Sequence, residues 1–182
     1  MKHPFRWIAL GVGVLVAVLA VILAVNVSTD PRADFNTSRL LGKPAPAFTF
    51  TDMAGKKLTS ADLAGKTVIL NFWNSWCTPC AQELPALRQW NAAHKDDTDV
   101  VMLGVPRDDT ADAIRTAARE NGMTWAVAND RGAEAATLDY ATRGQPETYV
   151  ISPSGIVVGS LIGPVVDTKV LDQLAAAGRR ST

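Results

Sequence analysis

The apolar run from Trp7 to Val25 constrains the chain more than any other feature of its sequence. No charged side chain interrupts this run. A helix rises ~1.5 Å per residue, so the run spans about 28 Å, close to the ~30 Å hydrocarbon core of a bilayer. Because a helix satisfies its own backbone hydrogen bonds in lipid, the run predicts a single transmembrane helix over residues 7–27.

The same N-terminal run allows two interpretations. A cleaved signal peptide has a shorter apolar core, of ~7–15 residues, followed by a cleavage site of small residues. Residues 24–28 offer no convincing site of this kind. We therefore favour an uncleaved anchor, and a cleaved signal peptide is the alternative.

The charges on either side of the run predict its orientation. Lys2 and Arg6 precede it, whereas residues 28–34 carry a net negative charge. Positive charge is retained on the cytoplasmic side of a membrane. The predicted order is a cytoplasmic tail (1–6), a signal-anchor (7–27), a polar linker (28–41) and a domain outside the cytoplasm (42–182).

Strands and helices are predicted to alternate along the domain. Apolar runs of strand length are separated by amphipathic runs of helix length, and residues 152–155 are typical of a hairpin turn. The predicted strands are 47–51, 57–59, 67–72, 100–105, 125–128, 147–151 and 156–161, and the predicted helices are 77–94, 110–121, 133–140 and 167–177, with one helical turn at 61–63. This order favours an α/β domain with a mixed central sheet flanked by helices.

Cys77 and Cys80 are the only cysteines, and they lie where a predicted strand is followed by a predicted helix. Unpaired N–H groups and the dipole at a helix N-terminus favour the thiolate form of Cys77, which is the nucleophile of disulfide exchange. Cys80 lies one turn later and can complete the exchange. Pro79 suits the first turn, where its missing N–H has no consequence. We interpret the pair as redox-active.

A structural disulfide and a zinc site both fit the cysteines less well. A disulfide that closes a four-residue loop removes little entropy from the unfolded chain, so it is a poor structural cross-link. Zinc requires two further ligands, but His3 lies in the N-terminal tail and His94 is interpreted as a solvated residue at the far end of the helix. The sequence therefore calls for no metal and no other cofactor. Its 18 basic and 18 acidic residues balance, which gives no basic surface for nucleic acid.

Two further residues are candidates for the site. Glu83 lies three residues after Cys80 on the same helix face, where a carboxylate could move protons or alter the ionisation of the thiols. An ordinary solvated glutamate fits this spacing equally well. Pro146 follows a glycine-containing loop and begins a strand, a setting for a cis proline or simply for the start of an edge strand.

These residues and their surroundings resemble the thioredoxin superfamily, and more narrowly its membrane-anchored TlpA/ResA/DsbE (CcmG) group. The likeness covers nearly all of residues 42–177. It is carried by Gly42–Phe48, Leu63–Trp73, Trp76–Cys80, Glu83 with Pro85, and Gly144–Thr148. The resemblance implies a thioredoxin-like fold with an inserted strand–helix unit within residues 96–129.

The resemblance also implies roles for individual residues. Pro146 is implied to be the cis proline that packs beside the attacking sulfur and helps to bind extended substrate chains. Glu83 is implied to tune the ionisation of the site, and Trp76 and Pro79 to support it. Thioredoxins carry a buried aspartate where this chain has Asn71, which leaves Glu83 as the substitute proton acceptor.

The function that the resemblance implies is the reduction of protein disulfides outside the cytoplasm, often those of apocytochrome c before haem attachment. Members of the group are recharged by a membrane reductase of the DsbD/CcdA kind, which is the expected partner. An oxidant or general exchange factor for secreted proteins stays open, because direction depends on reduction potential. A peroxiredoxin-like peroxidase is disfavoured, since Leu70 and Asn74 replace the proline and the threonine or serine of that chemistry. A metal-binding module of this fold would have one more residue between its cysteines and a distal histidine. This chain has neither, so that function is disfavoured as well.

Overall fold

The computed structural model describes residues 4–27, 38–129 and 132–181, and the side chains of the first range are described from 11 to 22. Helix α1 covers Pro4–Val27, and its described side chains are exposed. Among the described residues, no helix is both long and apolar enough to cross a membrane. The transmembrane helix therefore stays a prediction. Residues 1–3 of the predicted tail and 28–37 of the predicted linker lie outside the described residues.

From residue 38 onwards, strands and helices alternate in the predicted order. The elements are β1 Thr49–Thr51, β2 Lys57–Thr59, β3 Thr67–Trp73, α2 Thr78–Ala93, β4 Val100–Pro106, α3 Ala111–Glu120, β5 Ala126–Val127, α4 Gly132–Asp139, β6 Glu147–Ile151, β7 Val157–Ile162 and α5 Thr168–Arg180, with a 3₁₀ turn at Ser60–Leu63. Most bounds differ from the predicted ones by one or two residues. Helix α3 and strand β5 occupy the range in which the resemblance implies an inserted strand–helix unit.

Five of the strands form one mixed sheet, in the order β5-β4-β3-β6-β7, and β1 pairs with β2 in a separate hairpin. The central strand β3 runs parallel to β4 and antiparallel to β6. All of its residues are buried, as expected for a nearly continuous apolar strand covered on both faces. This sheet confirms the predicted α/β architecture.

Side chains of β3 alternate between two apolar cores, one on each face of the sheet. Ile69 and Trp73 pack with α2, α3 and α5, whereas Leu70 and Phe72 pack with the β1–β2 hairpin and α4. Full burial of one such side chain contributes ~1.5–3 kcal/mol. Strand β3 is therefore held from both faces of the sheet, and it leads directly to the cysteines.

Helix α5 packs unusually closely on the sheet. It continues to Arg180, so the predicted end at residue 177 is wrong. The predicted end lies just before Gly178, but this glycine belongs to the helix, where a Cβ would clash with the side chain of Thr67. Its lack of a side chain lets the helix approach β3.

The redox pair lies at the carboxyl edge of the parallel strands. Residues 74–77, the cysteine loop, connect the end of β3 to α2, and residues 107–110 connect the end of β4 to α3. Because β3 and β4 are parallel, both loops lie at the same edge of the sheet, where α/β proteins generally place their sites.

Candidate redox site

Cys77 is the N-cap residue of α2, as predicted from its position after β3. Its sulfur accepts a hydrogen bond from the backbone N–H of Cys80, with a distance of 3.2 Å between sulfur and nitrogen. Pro79 lies in the first turn and is exposed. An N–H group at the start of the helix thus points at the Cys77 sulfur, an arrangement that stabilises a thiolate.

The two cysteines are joined by a disulfide, with their Cα atoms 5.2 Å apart. The structure is therefore that of the oxidised protein. Cys77 is 7% exposed and Cys80 is 1% exposed. This difference favours Cys77 as the residue that meets a substrate.

Glu83 is fully buried on α2, so its interpretation as a solvated glutamate is excluded. Its Oε1 accepts a hydrogen bond from the side-chain amide of Asn71 at 2.9 Å, and its Oε2 accepts one from the N–H of Val165 at 3.1 Å. Burial raises the pKa of Glu83 to about 7, although both hydrogen bonds act in the opposite direction. A carboxyl group with this pKa can gain or lose a proton near neutral pH.

Asn71 connects Glu83 to the neighbouring strand. Its amide nitrogen also donates to the hydroxyl of Thr148 at 3.1 Å, and its Oδ1 is buried without a hydrogen-bond partner. An amide does not titrate in this pH range. Within this network the exchangeable proton therefore belongs to Glu83.

Pro146 forms a cis peptide bond with Gln145, which confirms the predicted cis proline. It is buried, and its carbonyl accepts a hydrogen bond from Gly163 at 2.9 Å. In the β3–β6 register Phe72 pairs with Glu147, so Pro146 lies at the end of β3, where the cysteine loop begins. The predicted contact between Pro146 and the Cys77 sulfur stays a prediction.

Trp76 presents a large apolar side chain directly before Cys77. It is 64% exposed, and its indole N–H donates to the carbonyl of Asp108 at 3.4 Å. Val166, which follows the residue that donates to Glu83, is 69% exposed. An exposed apolar group directly before a reactive sulfur offers contact surface to a partner chain.

Sequence reasoning missed a second buried carboxylate, that of Glu147. It accepts hydrogen bonds from the hydroxyl of Tyr149 at 2.8 Å and from the N–H of Arg143 at 2.9 Å. Burial raises the pKa of Tyr149 to about 12. Tyr149 belongs to the core on the face away from the cysteines. A glutamate at the start of a strand that ends in apolar residues is the signal that could have predicted this pair.

His94 differs from its predicted solvated state. It caps the end of α2 and stacks on Trp90, with ring centroids 4.1 Å apart. Its Nδ1 lies 2.8 Å from the carbonyl oxygen of Trp90. Within the described ranges, no group of three or more His, Cys, Asp or Glu side chains is arranged to hold a metal ion.

Three features together define a thiol–disulfide oxidoreductase of thioredoxin-like fold. They are the mixed sheet, the Cys-x-x-Cys disulfide at the start of a helix, and the cis proline at the same edge of the sheet. Residues 41–160 match the AhpC/TSA family. The chain is 35% identical to the thiol-disulfide oxidoreductase ResA of Bacillus anthracis over 123 residues, which cover 68% of this chain and 70% of that protein. It is 34% identical to the thiol:disulfide interchange protein DsbE of Pseudomonas aeruginosa over 180 residues, which cover 96% of this chain and 93% of that protein.

Solved structures with a similar fold include further thiol–disulfide oxidoreductases. A thiol:disulfide interchange protein from Chlorobium tepidum matches with a TM-score of 0.66 and 27% identity, over 74% of this chain and 94% of that one. A thiol-disulfide oxidoreductase from Bacteroides fragilis matches with a TM-score of 0.64 and 27% identity, over 72% of this chain and 99% of that one. The chain belongs to the AhpC/TSA family, and within it to the thiol–disulfide oxidoreductases of the ResA/DsbE type.

Proposed function

We propose that this oxidoreductase reduces protein disulfides outside the cytoplasm, that apocytochrome c is among its substrates, and that residues 7–27 anchor it in the membrane. The observation that carries the reductive chemistry is the Cys77 sulfur held at the N-terminus of α2, facing the Cys80 N–H. The similarity to DsbE covers 96% of the chain and so extends into the N-terminal apolar segment, which supports the anchor.

The reaction consists of two exchanges. The Cys77 thiolate attacks one sulfur of the substrate disulfide; a new S–S bond forms, the substrate bond breaks, and the other substrate sulfur leaves as a thiolate that takes up a proton. The Cys80 thiolate then attacks the Cys77 sulfur and releases the second substrate thiol. Two electrons pass to the substrate, and the protein is left with the Cys77–Cys80 disulfide that the structure contains.

Glu83 supports the second exchange. It lies three residues after Cys80 on one helix, so the two side chains share a face. Because the pKa of Glu83 is about 7, its carboxylate can accept the proton that the Cys80 thiol must lose before it attacks. The proton is returned when the disulfide is next reduced.

A membrane reductase of the DsbD/CcdA kind is the proposed electron donor. It would attack the oxidised pair at Cys77, the more exposed of the two cysteines. The Cys77 sulfur would therefore react with both proteins: it would pass electrons to the substrate and receive electrons from the reductase.

Trapping of mixed disulfides tests this function. In a Cys80→Ala variant of the full chain, Cys77 can attack but the intermediate cannot be resolved, so substrates should accumulate as covalent adducts. We expect apocytochrome c among them, and the matched Cys77→Ala variant should trap none. Capture of secreted proteins that fold oxidatively, without apocytochrome c, would contradict the maturation role.

The direction of electron flow is tested by equilibrating the pair with glutathione. Reduction potentials of such pairs span roughly 150 mV, from about −270 mV for thioredoxin to about −120 mV for strong oxidants. A reductant should lie toward the thioredoxin end. A value of about −120 mV would instead assign the protein as an oxidant or exchange factor.

A further inference from the structure

The cysteine loop is held from one side by the loop that follows β4. Residues 74–76 form hydrogen bonds with residues 107–109, one partner each. These six residues are called the clasp below. The two segments are more than thirty residues apart in sequence, and they meet because β3 and β4 are parallel neighbours.

The carboxylate of Asp109 makes the strongest contacts of the clasp. It accepts a hydrogen bond from the N–H of Ser75 at 2.7 Å and another from the Ser75 hydroxyl at 3.1 Å. It also accepts one from the N–H of Thr110 at 2.9 Å. Hydrogen bonds to a charged group are worth ~1.5–3 kcal/mol, about twice as much as neutral ones.

Asn74 extends the clasp to Cys77 itself. Its Oδ1 accepts a hydrogen bond from the N–H of Arg107 at 2.9 Å, and its backbone carbonyl accepts one from the N–H of Cys77 at 3.4 Å. The backbone of Cys77 is thus tied to a residue that the β4–α3 loop holds. A shift of the clasp would move Cys77 relative to the start of α2.

Asp108 and Trp76 complete the arrangement. Asp108 has a left-handed backbone, with φ of 49°, and its carbonyl accepts the indole N–H of Trp76. A non-glycine residue in this region persists where its surroundings hold it, and such residues concentrate at functional sites. The Asp108 carboxylate lies 3.4 Å from the guanidinium of Arg107, so their charges offset each other. Asp109 is the member of the clasp whose charge is bonded to the cysteine loop.

We propose that Asp109 is a positioning residue for Cys77, acting through Ser75 to keep the sulfur at the N-terminus of α2. The inference rests on the proposed attack by Cys77. It extends the site to the β4–α3 loop, within the range where the resemblance implies an inserted unit. A partner that displaced this loop would change the reactivity of the sulfur without touching it.

Two effects of Asp109 on Cys77 have opposite signs, and this makes the proposal testable. If the carboxylate acted only through its negative charge, its removal would favour the Cys77 thiolate. If it acts by positioning, its removal loosens the hydrogen bond from the Cys80 N–H and the alignment with the helix dipole, and so disfavours the thiolate. We expect positioning to dominate because both carboxylate oxygens are bonded to the loop.

The experiment measures the pH profile of Cys77 alkylation in the reduced full chain, with mass spectrometry to assign the modified cysteine. In Asp109→Ala, the midpoint of the profile should move upward by about one pH unit, roughly a tenfold loss of reactive thiolate below the midpoint. Asp109→Asn keeps one acceptor and should move it less, in the same direction. Asp112→Asn, which removes an exposed carboxylate of α3 that pairs with Arg115, is the matched control and should leave the profile unchanged.

Ser75→Ala keeps the test valid if Asp109→Ala does not fold. It removes one hydrogen bond to Asp109 and changes no charge, so positioning predicts a smaller upward shift and a purely electrostatic role predicts none. A downward shift in either Asp109 variant, or an unchanged profile in both and in Ser75→Ala, would overturn the proposal. Since alkylation requires no protein substrate, this result is independent of whether apocytochrome c is trapped.

Discussion

Replacement of Glu83 by glutamine should change how the stability of the protein depends on pH. The side chain of Glu83 is fully buried between α2 and β3, and burial raises its pKa from the ordinary 4.5 to about 7. Glutamine has nearly the same shape but does not titrate.

The magnitude follows from the two pKa values. They differ by about 2.5 units, and each unit corresponds to ~1.4 kcal/mol, so the free energy of unfolding should change by about 3 kcal/mol. The folded protein binds the proton more tightly than the unfolded chain. This stabilisation is therefore fully present below pH 4.5 and is lost progressively as the pH rises through about 7.

Urea denaturation of the oxidised full chain, from about pH 4 to about pH 8, measures this difference. The wild type should lose about 3 kcal/mol more than Glu83→Gln over that interval. Glu120→Gln, on the exposed face of α3, is the matched control and should follow the wild type. Parallel curves for the wild type and Glu83→Gln would refute the assignment of a raised pKa to Glu83.

Three further predictions concern packing and substrate contact. Gly178→Ala should destabilise the protein by about 1–3 kcal/mol or more in urea denaturation, because its Cβ clashes with Thr67, and adding Thr67→Ser should recover part of the loss. Full stability of Gly178→Ala would show that α5 can move away from the sheet. Gly104→Ala should cost about 1–3 kcal/mol, since its Cβ would lie 3.0 Å from an indole nitrogen, whereas Gly159→Ala, with contacts of 3.6 Å, should be tolerated. Equal effects of the two changes would contradict this reasoning. Trp76→Ala should raise KM for a protein disulfide about tenfold with a smaller change in kcat, in steady-state kinetics; an unchanged KM would exclude Trp76 from substrate contact.

The central strand and the redox helix were predictable because their signals are local. An apolar run of strand length precedes Cys77, and a proline in the first turn follows it, so both the boundary and the N-cap could be assigned. The cis proline was predictable from its motif, since residues 144–148 carry the resemblance. The mixed α/β architecture followed from the alternation of strands and helices.

Features that depend on tertiary contact were not predictable. Asp109 and Ser75 are 34 positions apart, and neither belongs to a periodic pattern. Gly178 looks like a helix stop in sequence, and only the proximity of Thr67 explains why a glycine lies inside the helix. Spacing could not separate a buried Glu83 from a solvated one, because burial depends on the loop that supplies the N–H of Val165.

The disulfide bridges only residues 77 to 80, within the first turn of α2, and the chain has no other cysteine. Opening it therefore releases no distant segment, so we expect the reduced and oxidised proteins to share one framework. A partner can then distinguish the reduced from the oxidised protein only by the few atoms around Cys77. The electron donor and the electron acceptor must then bind to the same small surface. They therefore bind one after the other, and the kinetics should follow a ping-pong scheme.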